Sequence, residues 1–191
     1  MPITALDERT ALIVIDLQAG IVKMPVIHPI DEVIARSAAL ATEFRRRGLP
    51  VVLVSVDGRP GGRTDVNGGS AGTPSAFPAD WLPLVDELDP QPTDIRVTKQ
   101  TGSAFVNTGL DEKLKQLGVT QVVVTGVSTS NGVESTALYA FNHGYHVTIP
   151  TDAVTDGSAE SHSYSVGTRF PRIAETGTTD EVLALLASAR S

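Results

Sequence analysis

The chain has 191 residues, 41% of them hydrophobic and 19% charged, with a formal charge of −7 and no cysteine. That balance fits one globular domain over residues 1–191 and excludes a disordered chain, a disulfide scaffold, thiolate metal sites and a cysteine nucleophile. No basic stripe suits nucleic acid, and no apolar run approaches the roughly 18 residues of a membrane span. The start, Met1-Pro2-Ile3-Thr4-Ala5, lacks a basic segment followed by an apolar one, so a cytoplasmic protein is expected.

Five apolar segments read as buried strands: Ala11–Ile15, Val51–Val56, Ile95–Thr98, Gln121–Thr125 and Tyr145–Ile149. A weaker sixth is Arg172–Glu175. Most are continuous runs rich in Val and Ile, the pattern of a parallel sheet covered on both faces. Helical stripes lie between them. Ile30, Val33, Ile34, Ala38, Ala41 and Phe44 form the first, ending near Gly48. Leu110, Leu114 and Leu117 form the second, closed by Gly118, and Val133, Ala137, Ala140 and Phe141 the third, closed by Gly144. Thr179–Ala189 reads as a closing helix. Glycine after each stripe supplies the left-handed cap from which a strand restarts. The alternation predicts a doubly wound α/β sheet with right-handed crossovers.

Ligands of such sheets bind beyond the carboxyl ends of the strands. Attention therefore falls on Asp16, Asp57, Lys99, Gly126 to Gly132, and Asp152. Asp16 reads either as a turn aspartate or as a half-buried carboxyl whose pKa burial raises. Lys99 reads either as a solvated lysine or as the partner of a carboxylate or an anionic substrate. The segment Gly126–Thr136 joins a strand to a helix, whose free N–H groups suit an anion or oxyanion; Ser128, Thr129 and Ser130 cap that helix or touch ligand. The stretch Asp57–Pro92 is rich in Gly and Pro and holds the single tryptophan, Trp81. Its length fits a lid or oligomer contact on one reading and disorder on another. No phosphate-binding glycine loop and no nucleophile elbow occurs. His28, His143, His146 and His162 show no ligand spacing paired with carboxylates.

Taken in order, several segments resemble the isochorismatase-like hydrolase superfamily, which includes the nicotinamidase-related cysteine hydrolases. They are Ala11-Leu-Ile-Val-Ile-Asp16-Leu-Gln18, Val97-Thr-Lys99 with Ser103-Ala-Phe105, and Val123-Val-Thr-Gly126-Val with Thr129. Val133-Glu-Ser-Thr136-Ala137, Gly144-Tyr145, Asp152-Ala153 and Thr178-Thr-Asp-Glu-Val182 continue the match, which runs from residue 10 to about 185. The resemblance implies a six-stranded parallel sheet of order 3-2-1-4-5-6 with helices on both faces, assembled as a homodimer or larger homo-oligomer. It implies an active site with Asp16 and Lys99 as catalytic residues, a small-molecule substrate, and contacts from Gln18, Phe105, Val127, Ser128, Thr129 and Asn131.

The family's amidohydrolases use an Asp–Lys–Cys triad, and the cysteine position falls on Gly132. Glycine cannot attack a carbonyl, so covalent catalysis from there is excluded. Three readings remain. One is a true isochorismatase, in which Asp16 as acid protonates a vinyl-ether methylene, Lys99 orients it, and Arg59 and Arg63 bind a further carboxylate. Against it, the Tyr and His usual there are missing from Ser128–Asn131, which looks more like the amidohydrolase branch. The others are a member that binds or assembles without turnover, and an amidohydrolase whose cysteine has been replaced. A serine substitute, Ser128 or Ser130, is disfavoured because neither sits at the helix-start position and no histidine base is placed for it. The zinc site of the nicotinamidase branch needs histidines after the second strand; the chain reads Asp57-Gly-Arg-Pro-Gly there, so neither zinc nor another cofactor is expected.

Overall fold

The structure, a computed structural model, describes residues 3–59, 61–65, 71–72 and 75–188. Six strands form the main sheet: β1 (Thr10–Ile15), β2 (Val51–Val56), β3 (Ile95–Lys99), β4 (Gln121–Val127), β5 (His146–Pro150) and β6 (Glu175–Gly177). They run in the order β3-β2-β1-β4-β5-β6, all parallel. A two-residue strand, Val154–Thr155, pairs with the last two residues of β4, beyond the end of β5. This is the expected fold and strand order.

Alternate residues of β1 feed two cores, which is why its sequence is apolar throughout. Ala11, Ile13 and Ile15 pack with Leu110, Leu114, Ala137, Ala140 and Phe170. Leu12 and Val14 pack on the other face with Val33, Leu40, Phe44, Val182 and Leu186. Apart from Phe170, those partners belong to α1 (Ile30–Arg46), α2 (Leu110–Gln116), α3 (Glu134–Asn142) and α5 (Thr179–Ser188); a shorter α4 (Ala159–Tyr164) precedes β6. Burying each Leu, Ile or Phe contributes roughly 1.5–3 kcal/mol.

The sequence erred at edges. Arg172 ends a 3-10 turn, Phe170–Arg172, and the sixth strand starts at Glu175, because Phe170 and Ile173 are drawn into the core instead of pairing. Phe141 is 47% exposed rather than part of the buried stripe, since α3 turns Thr136, Ala137 and Ala140 inward. Leu117 caps α2 from outside and is also exposed. Within Asp57–Pro92, two short antiparallel ribbons pair Gly58–Arg59 with Ser75–Ala76 and Gly62–Arg63 with Ala71–Gly72. Pro60, 66–70 and 73–74 of that stretch lie outside the described residues. Phe77 stacks on Trp81, whose indole lies so close over Gly20 that a Cβ at Gly20 would collide with it.

Candidate active site

Register brings the site together. Ile15 pairs with both Val54 and Gly126, and Val56 pairs with Lys99, so β1, β2, β3 and β4 end at one edge. Gly126 (φ +110°) lies against the Ile15 carbonyl so closely that any Cβ would strike it. Only glycine lets these two strand ends close up. The next residue of the first strand, Asp16, has a left-handed backbone (φ +53°), a conformation that aspartate tolerates better than most residues.

Asp16 and Lys99 form an ion pair: Lys99 Nζ is 2.8 Å from Asp16 Oδ2, and both side chains are almost wholly buried. Lys99 Nζ also donates to the Thr101 carbonyl at 3.1 Å. Asp16 Oδ1 has no hydrogen-bond partner although it is buried. Burial pushes the Asp16 carboxyl up to about 6, with the charge and hydrogen bond of Lys99 opposing the rise. A carboxyl so poised holds its proton over much of the acidic range and releases it near neutrality.

Gly132 lies beside this pair. Its turn, Thr129–Val133, is a π-helical segment running directly into α3. A Cβ placed on Gly132 would sit 3.4 Å from Asp16 Oδ2 and 3.2 Å from the Val127 carbonyl. It would also sit 2.8 Å from Ile15 Cγ2, a branched methyl on a rigid strand, so any side chain here forces a shift.

The residues expected to touch substrate divide. The half-buried Ser128 precedes the turn and the exposed Asn131 lies within it; the Ser128 carbonyl accepts the N–H groups of Asn131 and Val133, and Asn131 faces Gly102. Val127 turns its side chain into the α1-side core. Thr129 is fully buried, sharing a 2.9 Å hydrogen bond with His162 Nδ1. Gln18 is also fully buried: its Nε2 donates to the carbonyls of Val56, Trp81 and Leu82, and its Oε1 accepts the Val56 N–H at 2.7 Å. It clamps β2 to the Trp81 segment. Phe105 is stacked on Tyr139 and tilted against Tyr145 in the core. The side chains of Gln18, Phe105, Val127 and Thr129 thus face packing partners, not the cleft. Asp152, at the end of β5, accepts the N–H and hydroxyl of Thr179 and pairs with Arg36, so it caps α5 instead of joining the site.

A cleft of about 470 Å³ opens along the ends of β2 and β3, lined by Asp57, Arg59, Lys99, Gln100, Thr101 and Asn107 among others. Lys99 is on its wall; Asp16 and Gly132 are not among its lining residues. Asp57 Oδ1 is a second buried oxygen without a partner. Among the described residues, no group of three or more His, Asp or Glu is arranged to hold a metal ion.

Sequence reading missed the support behind Gly132, formed by Asp156, His28 and His162. Its one sequence signal is a short polar string, Asp156-x-Ser158-x-x-x-His162, opening a helix right after a buried strand.

The Isochorismatase domain family matches residues 10–181. The chain belongs to the isochorismatase family. It is 37% identical over 182 residues to the isochorismatase family protein YwoC of Bacillus subtilis (strain 168), covering 92% of this chain and 93% of that one. It is 32% identical over 180 residues to the ureidoacrylate amidohydrolase RutB of Pantoea ananatis, covering 80% and 72%. The structure of an isochorismatase family protein from Burkholderia thailandensis superposes with a TM-score of 0.87 at 34% identity, covering 96% of this chain and 98% of that one. The family is one of hydrolases that includes amidohydrolases.

Proposed function

We propose that this isochorismatase-family hydrolase acts on a small vinyl ether of the isochorismate type, with Asp16 as general acid and without a covalent intermediate. The observation that carries the reading is the Asp16 carboxyl: raised to about 6, with one oxygen held by Lys99 and the other unpartnered, beside a residue with no side chain. Oδ1 gives its proton to the terminal methylene of the enol ether. The ether carbon becomes an oxocarbenium ion, and water adds to it, losing a proton that restores the acid. The resulting hemiketal breaks its C–O bond to release pyruvate and an alcohol.

Lys99 keeps the carboxyl oriented, and its charge favours the carboxylate left after transfer. Arg59 on the cleft wall is the cation for a substrate carboxylate. Ser128 and Asn131 are the turn residues that contact substrate. Asp16 Oδ1 is sealed from solvent in this conformation, so entry requires a covering segment to move. The steric fit of Gly132 against Ile15 favours a turn adapted to glycine over a nucleophile recently lost. The reading carries with it a cytoplasmic homo-oligomer.

Isochorismate supplied to the protein should release pyruvate, measured by a coupled lactate dehydrogenase assay, and Asp16→Asn should slow it by about 10²–10⁴-fold. Asparagine keeps the shape and tolerates the left-handed backbone but has no proton to give. Saturable binding of isochorismate without pyruvate would identify a binding protein instead.

A further inference from the structure

The turn that carries Gly132 is held from outside by one short segment. Asp156 follows the strand Val154–Thr155 and is 5% exposed. Its Oδ2 accepts the Ser130 N–H at 2.7 Å and the Ser130 hydroxyl at 2.8 Å, and its Oδ1 accepts the Ser158 N–H at 3.1 Å. No lysine or arginine pairs with it among the described ion pairs. A buried carboxylate without a cation is tolerated where oriented N–H and O–H groups converge on it. Here the donors come from two places: Ser130, near the start of the helical run that continues into α3, and Ser158, the N-cap of α4.

The anchoring is doubled. Thr129 Oγ1 is bonded to His162 Nδ1, and the His162 ring meets His28 edge-on at 4.8 Å. His28 in turn is bonded through Nδ1 to Thr155 Oγ1 at 3.1 Å, and the Ile27 N–H donates to the Asp156 carbonyl. Thus the two residues that open the Gly132 turn, Thr129 and Ser130, are each tied by a side chain to Thr155–His162, and none of these ties reaches Asp16 or the cleft.

We propose that Asp156 is a positioning residue of this site: by holding Ser130 it presses Gly132 against Asp16 and keeps that carboxyl out of water. Asp156 touches neither substrate nor the transferred proton. The proposal rests on the reading of Asp16 as the acting carboxyl, but its test does not need turnover.

The readout is the titration of the Asp16 side-chain carboxyl followed by carbon-13 NMR, assigned by its loss in Asp16→Asn. Asp156→Asn should move that titration down from about 6 toward the ordinary aspartate range as water reaches the carboxyl. Removing a negative charge would also lower it, so the double variant Thr129→Val with Ser130→Ala is the charge-neutral arm. It should shift the titration in the same direction. Asp94→Asn, which breaks the distant Arg45–Asp94 pair, is the control: it should lower the melting temperature and leave the Asp16 titration in place. If pyruvate release is present, Asp156→Asn should reduce kcat on the order of a hundredfold with little change in KM, the effect of a misplaced reacting group. A folded Asp156→Asn variant whose Asp16 still titrates near 6 overturns the proposal, because loss of the hold on Ser130 and loss of the charge both act downward. If the wild type releases no pyruvate yet the titrations shift, the positioning role stands and the acid-catalysis reading falls. Should Asp156→Asn fail to fold, Asp156→Glu, which keeps the charge but not the distances to the Ser130 N–H and hydroxyl, is read in the same way.

Discussion

The two edges of the sheet each bear a cavity of similar size, about 470 Å³ at the carboxyl ends of the strands and about 420 Å³ at the amino ends. They differ in how their polar groups are bonded. At the amino edge Gln121 accepts from the Asp7 N–H and Thr10 hydroxyl and donates to the Ala5 carbonyl and Thr148 hydroxyl. Glu175 there accepts both the N–H and hydroxyl of Thr4. At the carboxyl edge, Asp16 Oδ1 and Asp57 Oδ1 are buried and unpartnered. Volume does not separate the candidate cleft from the hollow at the amino edge; unfinished hydrogen bonding does, since native structures leave few buried lone pairs without a donor.

That contrast is easiest to break by activity. Asp16→Asn should cost about 10²–10⁴-fold in pyruvate release, the range for loss of a general acid, whereas Gln121→Leu should leave the rate unchanged. Equal losses from both would erase the distinction between the edges. Next in size is Lys99→Met, which leaves Asp16 without its cation. Stability should fall by about 3–5 kcal/mol above neutrality, measured by urea unfolding. The loss should shrink in acid, because Asp16 without Lys99 takes up its proton more readily.

The wild type offers a subtler sharpening. Asp16 is raised when folded, so between pH about 4 and about 6 the folded state binds more protons than the unfolded one, and stability falls as pH rises through that window. The contribution is on the order of 3 kcal/mol, full below the unfolded pKa and lost above about 6. Asp16→Asn should remove this slope from the denaturation profile. Smallest is Gln121→Leu itself, which strands buried donors and acceptors at the amino edge and should destabilise by about 1–3 kcal/mol with no change in that slope.

Periodicity reveals which residues are buried but not which groups meet. The strand runs and the edge carrying Asp16 and Lys99 were readable because Val- and Ile-rich segments alternating with glycine-closed stripes admit few arrangements, whereas the strand order was implied by the family resemblance. The exposure of Phe141 and the late start of the sixth strand were not, since each depends on which face of a neighbour is already filled. Gln18 and Phe105 sit inside motifs that read as substrate-binding, yet their partners are backbone carbonyls more than 35 residues away and a ring on α3. The Asp156–Ser130 bond joins residues 26 apart, and nothing in the local spelling of either announces the other.

Gln18 fastens the carbonyl of Trp81 two residues after Asp16, and the indole rests on Gly20. Because the chain holds no second tryptophan, this places the one intrinsic fluorophore against Gly20, four residues along the chain from Asp16. Any swing of that segment as a ligand enters alters the polarity around one indole, so emission colour reports the opening directly, with no label attached.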